Sequence, residues 1–235
     1  MLYTALTQEE CEVILLSLKV SVTAVGLMLP LAFLLAWALA RWRFPGKLLL
    51  DAIVHLPLVV PPVITGWVLL LLLGINGPIG AWLERVAGIT LLFKWTGAAV
   101  AAAIMALPLM VRAMRLSIEA IDRRLEQAAH TLGAGRIRTF LTISLPLSLP
   151  GLIAGLVLGF ARSIGEFGAT ITFVSDVPGE TRTLPIAIYA GLQQPGGEAA
   201  VTRLALLSVA LCLIALLLSE WLTRRMAGGR RLHVL

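Results

Sequence analysis

The chain has 235 residues, of which 59% are apolar and 14% charged, with a mean hydropathy of +0.94. That composition excludes an ordinary soluble domain, in which about a quarter of residues are charged. The net charge of +6 would suit a nucleic-acid binder, but stretches 41–47, 112–138 and 224–231 hold thirteen of the nineteen Lys and Arg, the clustering of the positive-inside rule in an integral membrane protein, and no nucleic-acid partner is expected.

Five apolar windows, 13–40, 48–74, 95–111, 147–174 and 204–222, are each long enough to cross a hydrocarbon core of about 30 Å as a helix. The basic stretches put the centre and the C-terminus in the cytoplasm and, with five crossings, the N-terminus outside. Glu9, Glu10 and Glu12, with no basic residue before Lys19, agree and argue against a cleaved signal peptide. Lys19 lies about two turns inside the first helix, where its stem can snorkel to the outer surface. Cys11 and Cys212 fall at different depths, too far apart for a disulfide, and read as small apolar side chains.

The second window contains His55-Leu-Pro-Leu-Val-Val-Pro-Pro62. Each proline removes a backbone donor and disfavours helix before it, so the span should be kinked or open there. Irregular backbone at that depth faces either protein or a wet cavity, which makes 57–65, with Pro61, Pro62 and Thr65, a candidate wall of a pathway; a kink packed on neighbouring helices is the alternative. His55 reads as a hydrogen-bonded interior residue. Stretch 75–93 holds Asn76-Gly-Pro78, Glu84 and Arg85 and reads as a loop with a short surface helix, with a sixth crossing left open.

Between the third and fourth windows, 123–131 lacks Gly and Pro, is rich in helix formers and precedes Gly133 and Gly135, so it predicts a short helix with a glycine stop. Gly133 should be left-handed there. Ala128 and Ala129 leave room for another surface to approach the backbone. In the fourth window Gly151, Gly155, Gly159 and Ser163 recur every four residues, a small-residue packing stripe that could face a second subunit. Arg162, Glu166 and Thr170 repeat at the same interval on an adjacent side. Charges inside a span are costly, so the pair should face inward and compensate itself. It is either a structural ion pair, for which reciprocal exchange should restore stability and transport, or a place where Arg162 lends positive potential to a passing anion. Segment 176–200 is turn-rich around an apolar piece at 184–192 and is expected outside.

The run Glu126-Gln-Ala-Ala-His-Thr-Leu-Gly133 followed by Ile143-Ser-Leu-Pro146 resembles the cytoplasmic loop of permease subunits of ATP-binding-cassette importers, with Gln127 where that pattern has Glu. Arg162-Ser-Ile-Gly-Glu-Phe-Gly-Ala-Thr170, with Phe44-Pro-Gly-Lys47, Leu132-Gly-Ala-Gly135 and Pro178-Gly-Glu-Thr-Arg182, is similar to molybdate permeases in particular, and sulfate and thiosulfate permeases share much of it. The resemblance implies an all-α membrane protein, a bundle of five transmembrane helices of the type I importer permease architecture. It also implies one domain over 1–235, a cytoplasmic coupling loop at 112–146, and a bacterial-type inner membrane location. The expected partners are a cytoplasmic ATP-binding subunit dimer, an external substrate-binding protein, a second copy of the chain and membrane lipid.

On this reading the chain is not an enzyme. It has no phosphate-cradling Gly-Lys-Ser/Thr loop and no metal-ligating cluster, so no catalytic, cofactor or metal site is expected, and ATP and Mg belong to the partner ATPase. Glu126, Gln127, Ala128, Ala129 and Gly133 are the expected ATPase-coupling residues; Pro61, Pro62, Thr65, Arg162, Ser163, Glu166 and Thr170 are the expected pathway residues. The cargo would be an oxyanion, molybdate first, with sulfate, thiosulfate or tungstate as alternatives. The rival class is an ion-coupled secondary transporter or channel, which the intramembrane charges would suit but which would not need the central motif.

Overall fold

The computed structural model describes residues 7–228, with side chains through Leu218 and at Trp221. The basic positions 230 and 231, and the side chains of Arg224 and Arg225, lie outside the described residues. Eleven α-helices and one π-helical turn account for the elements of the described chain. Among the described residues four continuous helices are long and apolar enough to cross a membrane, and a bent pair reaches that length and hydropathy only when its two helices are taken together.

Helix α1 (Gln8–Arg41) runs 34 residues unbroken through Pro30, about 51 Å at 1.5 Å per residue. Its start is fixed by a capping box, in which the Thr7 hydroxyl accepts from Glu10 N–H and the Glu10 carboxylate accepts from Thr7 N–H. Helix α5 (Trp95–Glu119) is the central member. It buries Ala98, Ala99, Ala101, Ala102, Ala103 and Ala106, and these methyl-sized side chains let α1 and α8 pack close to its axis.

The second window is not one span. Helices α2 (Lys47–Val59) and α3 (Pro62–Leu73) meet at 113°. Val60 and Pro61, each followed by proline, take extended backbone at the corner, and Pro62 sits at the first turn of α3, where a missing N–H costs nothing. Pro57 lies inside α2, so the irregular stretch expected over 57–65 narrows to two residues. Helix α4 (Pro78–Ala87) is 10 residues, about 15 Å long, and cannot be a sixth crossing.

After α6 (Arg123–Thr131), the chain runs through α7 (Arg136–Thr139) and a π-helical turn (Phe140–Ser144) into α8 (Leu145–Ile164). Of the polar stretch 112–146, the first part is thus the end of α5 and the last part the lead-in to α8; the connection itself is 120–135. The fourth window is also interrupted: α8 stops at Ile164 and α9 (Gly168–Val174) begins after Gly165, Glu166 and Phe167. Gly151, Gly155, Gly159 and Ser163 are all buried. The three glycines face α5 of the same chain, not a second subunit: a Cβ at Gly151 would strike Ser117, one at Gly155 would lie 2.9 Å from Met114 Cε and one at Gly159 2.7 Å from Met110 Cγ. Helices α10 (Leu184–Leu192) and α11 (Glu198–Gly228) complete the fold, α11 packing on α8 and α10.

Helix α3 also packs closely on α9. A Cβ at Gly66 would lie 2.5 Å from the Ala169 carbonyl oxygen and 2.8 Å from Thr172 Cβ, whereas Gly26 in α1 has open space around it. Gly66→Val should therefore cost about 1–3 kcal/mol of overpacking, and Gly26→Ala should be tolerated. Thermal unfolding in detergent checks the pair; equal midpoints for both variants would mean that α3 and α9 are not in close contact.

Candidate functional site

Two places concentrate the residues singled out from sequence. The first is α6, none of whose nine residues is buried. The Asp122 carboxylate caps its start by accepting from Arg124 N–H at 2.9 Å. Its end is a Schellman motif: Ala134 N–H donates to the Ala129 carbonyl and Gly133 N–H to the His130 carbonyl, both at 3.0 Å. Gly133 has φ +84°, the left-handed backbone that the glycine stop requires. Gln127 and Ala128 point to solvent, Ala129 is half-buried, and beside them Leu132 and Ile137 are 87% and 77% exposed. Helix α6 is thus capped at both ends and flanked by bare apolar side chains on an otherwise basic surface.

Glu126 does not share that outward face. Its Oε1 accepts from Arg41 Nη2 at 3.1 Å and from the Ser144 hydroxyl at 2.7 Å, holding α6 against the end of α1 and the π-helical turn. Sequence spacing grouped Glu126 with Gln127, Ala128 and Ala129; the partner 85 positions away was invisible to it.

The second place is where the two interrupted spans meet. A Cβ at Gly168 would lie 2.8 Å from Pro62 Cβ, so the α2–α3 corner and the α8–α9 break are packed on each other, bringing Pro62 and the Glu166 region together. Thr170 is fully buried on α9, Ser163 is buried with its hydroxyl unpartnered by protein, and Pro61, Pro62 and half-buried Thr65 lie on the more open side. Arg162, Glu166 and Thr170 are not three successive positions of one helix as the spacing suggested. Glu166 stands in the break, 3% exposed; its Oε2 takes an ion pair from Arg162 Nη1 at 2.6 Å while its Oε1 accepts from Ala169 N–H at 2.8 Å, capping α9. The capping bond satisfies a donor that the helix break leaves free at depth, which explains why a carboxylate rather than a neutral small residue ends the run.

Other expected residues fall away from both places. Lys19 does not only reach for the surface: its Nζ sits 3.7 Å from the centroid of the Trp95 ring, a cation–π contact. His55 Nδ1 lies 2.9 Å from the Asp51 carbonyl oxygen, and Arg115 binds both Asp51 at 3.1 Å and Glu119 at 2.8 Å, bordering a cleft of about 320 Å³ between α2 and α5. Cys11 is exposed, both cysteines are free, and among the described residues no cluster of His, Cys, Asp and Glu could hold a metal.

Residues 28–228 match the family described as binding-protein-dependent transport system inner membrane component. The chain is 59% identical to the molybdenum transport system permease protein ModB of Escherichia coli K12, over 96% of this chain and 99% of that one. It is 39% identical to the sulfate transport system permease protein CysT of the same strain, over 84% and 70%. Among solved structures it superposes on a bacterial transporter that imports the acidic polysaccharide alginate, with a TM-score of 0.73, 19% identity and coverage of 94% and 80%, and on the MetNI methionine transporter in inward-facing form, with a TM-score of 0.67, 16% identity and coverage of 93% and 94%. The chain belongs to the binding-protein-dependent transport system inner membrane component family.

The two bonds of Glu166 alter the expectation for its variants. Reciprocal exchange of Arg162 and Glu166 should not restore stability even for a purely structural pair, because an arginine at 166 has no acceptor for Ala169 N–H. Glu166→Gln keeps that acceptor and Glu166→Ala does not, so the alanine variant should be the less stable of the two by about 1–3 kcal/mol. Thermal unfolding in detergent decides; indistinguishable variants would remove the capping role.

Proposed function

We propose that this permease subunit carries an oxyanion, molybdate in the first instance, across the inner membrane by alternating access. It would work as a homodimer with an ATP-binding subunit on a separate chain and a substrate-binding protein outside. The observation that carries the reading is the capped and exposed α6, bearing the central motif, in a chain similar over nearly its whole length to a molybdenum permease. Similarity to a sulfate permease at lower identity supports tetrahedral oxyanions as the class, with sulfate, thiosulfate and tungstate as the competing members.

The proposed orientation puts α6 and the C-terminus in the cytoplasm and Thr7 outside, following the basic stretches. Gln127, Ala128, Ala129 and the Gly133 stop then form the surface offered to the ATPase; Pro61, Pro62, Thr65 and Ser163 are proposed to line the path beside the two broken spans, where irregular backbone at depth borders a cavity. Arg162 supplies positive potential there while Glu166, held by two bonds, fixes its guanidinium. That double engagement weighs against the rival of ion coupling, since both carboxylate oxygens are already committed, one to Arg162 and one to the start of α9. ATP and Mg enter on the partner. Driving the two-state ratio from 1:99 to 99:1 takes about 5.5 kcal/mol, which nucleotide binding there has to provide through α6.

In proteoliposomes holding the chain, its ATPase subunit and the binding protein, ATP should drive uptake of labelled molybdate, with unlabelled tungstate competing better than sulfate. Equal competition by sulfate would reassign the cargo, and uptake without ATPase would favour the secondary transporter.

Ala128→Trp and Ala129→Trp should push the docking surfaces apart and lose the co-purifying ATPase subunit, while Gln127→Glu should be tolerated. Full stoichiometry with both tryptophans would place the docking surface elsewhere.

A further inference from the structure

Three aromatic and charged positions of α1, Phe33, Trp37 and Arg41, recur every fourth residue and end on Glu126. Trp37 meets the Phe140 ring edge-on at 5.1 Å between centroids, and Phe33 is 6.3 Å from the same ring. Phe140 begins the π-helical turn and Ser144 ends it. Arg41 then pairs with Glu126, to which Ser144 also donates, and its guanidinium carbon lies 5.6 Å from the Trp37 ring. The Arg41 side chain is only 10% exposed and its Nε has no partner in the protein, so the charge is held in place by Glu126 on one side and the indole on the other. Burying a guanidinium this far requires its carboxylate.

At its other end α1 is tied just as firmly. Leu184 N–H donates to the buried Ser17 hydroxyl at 2.7 Å, joining α10, and Arg203 of α11 binds Glu10 at 2.7 Å. Between these ends α1 lies along α5 and α8. One unbroken helix therefore runs from α6 to the opposite rim with a fixed joint at each end, and the π-helical turn beside the first joint is the irregular element there.

We propose that Arg41, Glu126 and Ser144 form a transmission joint: Glu126 is a positioning residue facing the chain's own α1, through which displacement of α6 is passed along α1 to the opposite rim. The proposal rests on the functional reading above in that an ATPase must move α6, but it is independent of the cargo.

Cys11, exposed near the far end of α1, reports the motion. In the reconstituted complex carrying Cys212→Ala, a membrane-impermeant maleimide should label Cys11 at different rates in the nucleotide-free and ATP-trapped states. Arg41→Gln and Glu126→Gln should make the two rates equal with the ATPase subunit still bound in full stoichiometry, and Arg41→Glu combined with Glu126→Arg should recover part of the difference. Should the neutral variants fail to accumulate, Glu126→Asp, which keeps the charge and withdraws the carboxylate by one methylene, should shrink the difference. An unaltered rate difference in Arg41→Gln or in Glu126→Asp overturns the joint, as does equal labelling in the otherwise unaltered complex. Loss of the ATPase subunit from Glu126→Gln would make Glu126 an interface residue and also overturns it. Absence of ATPase binding to the unaltered chain would instead overturn the functional reading.

Discussion

The approach of α1 and α8 to α5 sets the geometry of everything else, and it is limited by side-chain size. Lipid tails are as apolar as leucine, so helices in a bilayer gain little by burying leucine against one another and hold together by close packing instead. The alanine run of α5 and the glycine stripe of α8 meet that requirement from both sides, with Met110 and Met114 filling the space opposite Gly155 and Gly159. Because those contacts are at van der Waals limits, relative displacement within the trio is costly, and motion is more easily taken up elsewhere.

The places left to take it up are those where helices are interrupted. A break inside the membrane exposes backbone donors and acceptors that water cannot reach, so each break is either capped by a side chain or pressed against another. Both solutions occur here at one location. Glu166 caps α9, and the Pro61–Pro62 corner rests on Gly168. The irregular backbone of the two interrupted windows is thereby gathered at one place in the bundle.

Much of this was legible in the sequence because the signals are local. Helix α6 has the bounds expected from composition and its glycine stop, Gly133 has the positive φ that a C-terminal glycine serves, and the short helix after Pro78 and the apolar piece at 184–192 form where expected. The break at 165–167 was hidden for a physical reason: residues four apart on a helix and residues flanking a capped break hold their charges at similar distance, so the Arg162–Glu166 spacing fits both. The stripe of small residues was visible, but which helix it meets depends on topology. Arg41 with Glu126 and Glu10 with Arg203 are separated by 85 and 193 positions, and no period in the sequence links them.

Glu126 and Glu166 show how little residue type alone decides. Each is a glutamate bound to an arginine and to one further donor, and each stands at a joint between helices. They differ in what the joint connects. Glu166 holds the break between α8 and α9, next to the corner between α2 and α3. Glu126 connects the exposed helix α6 to the end of α1, whose other end is tied to α10 and α11. A carboxylate suits both because it is acceptor-only when ionised and can serve two donors at once. At such a two-donor acceptor between helix ends, one substitution removes two contacts at once.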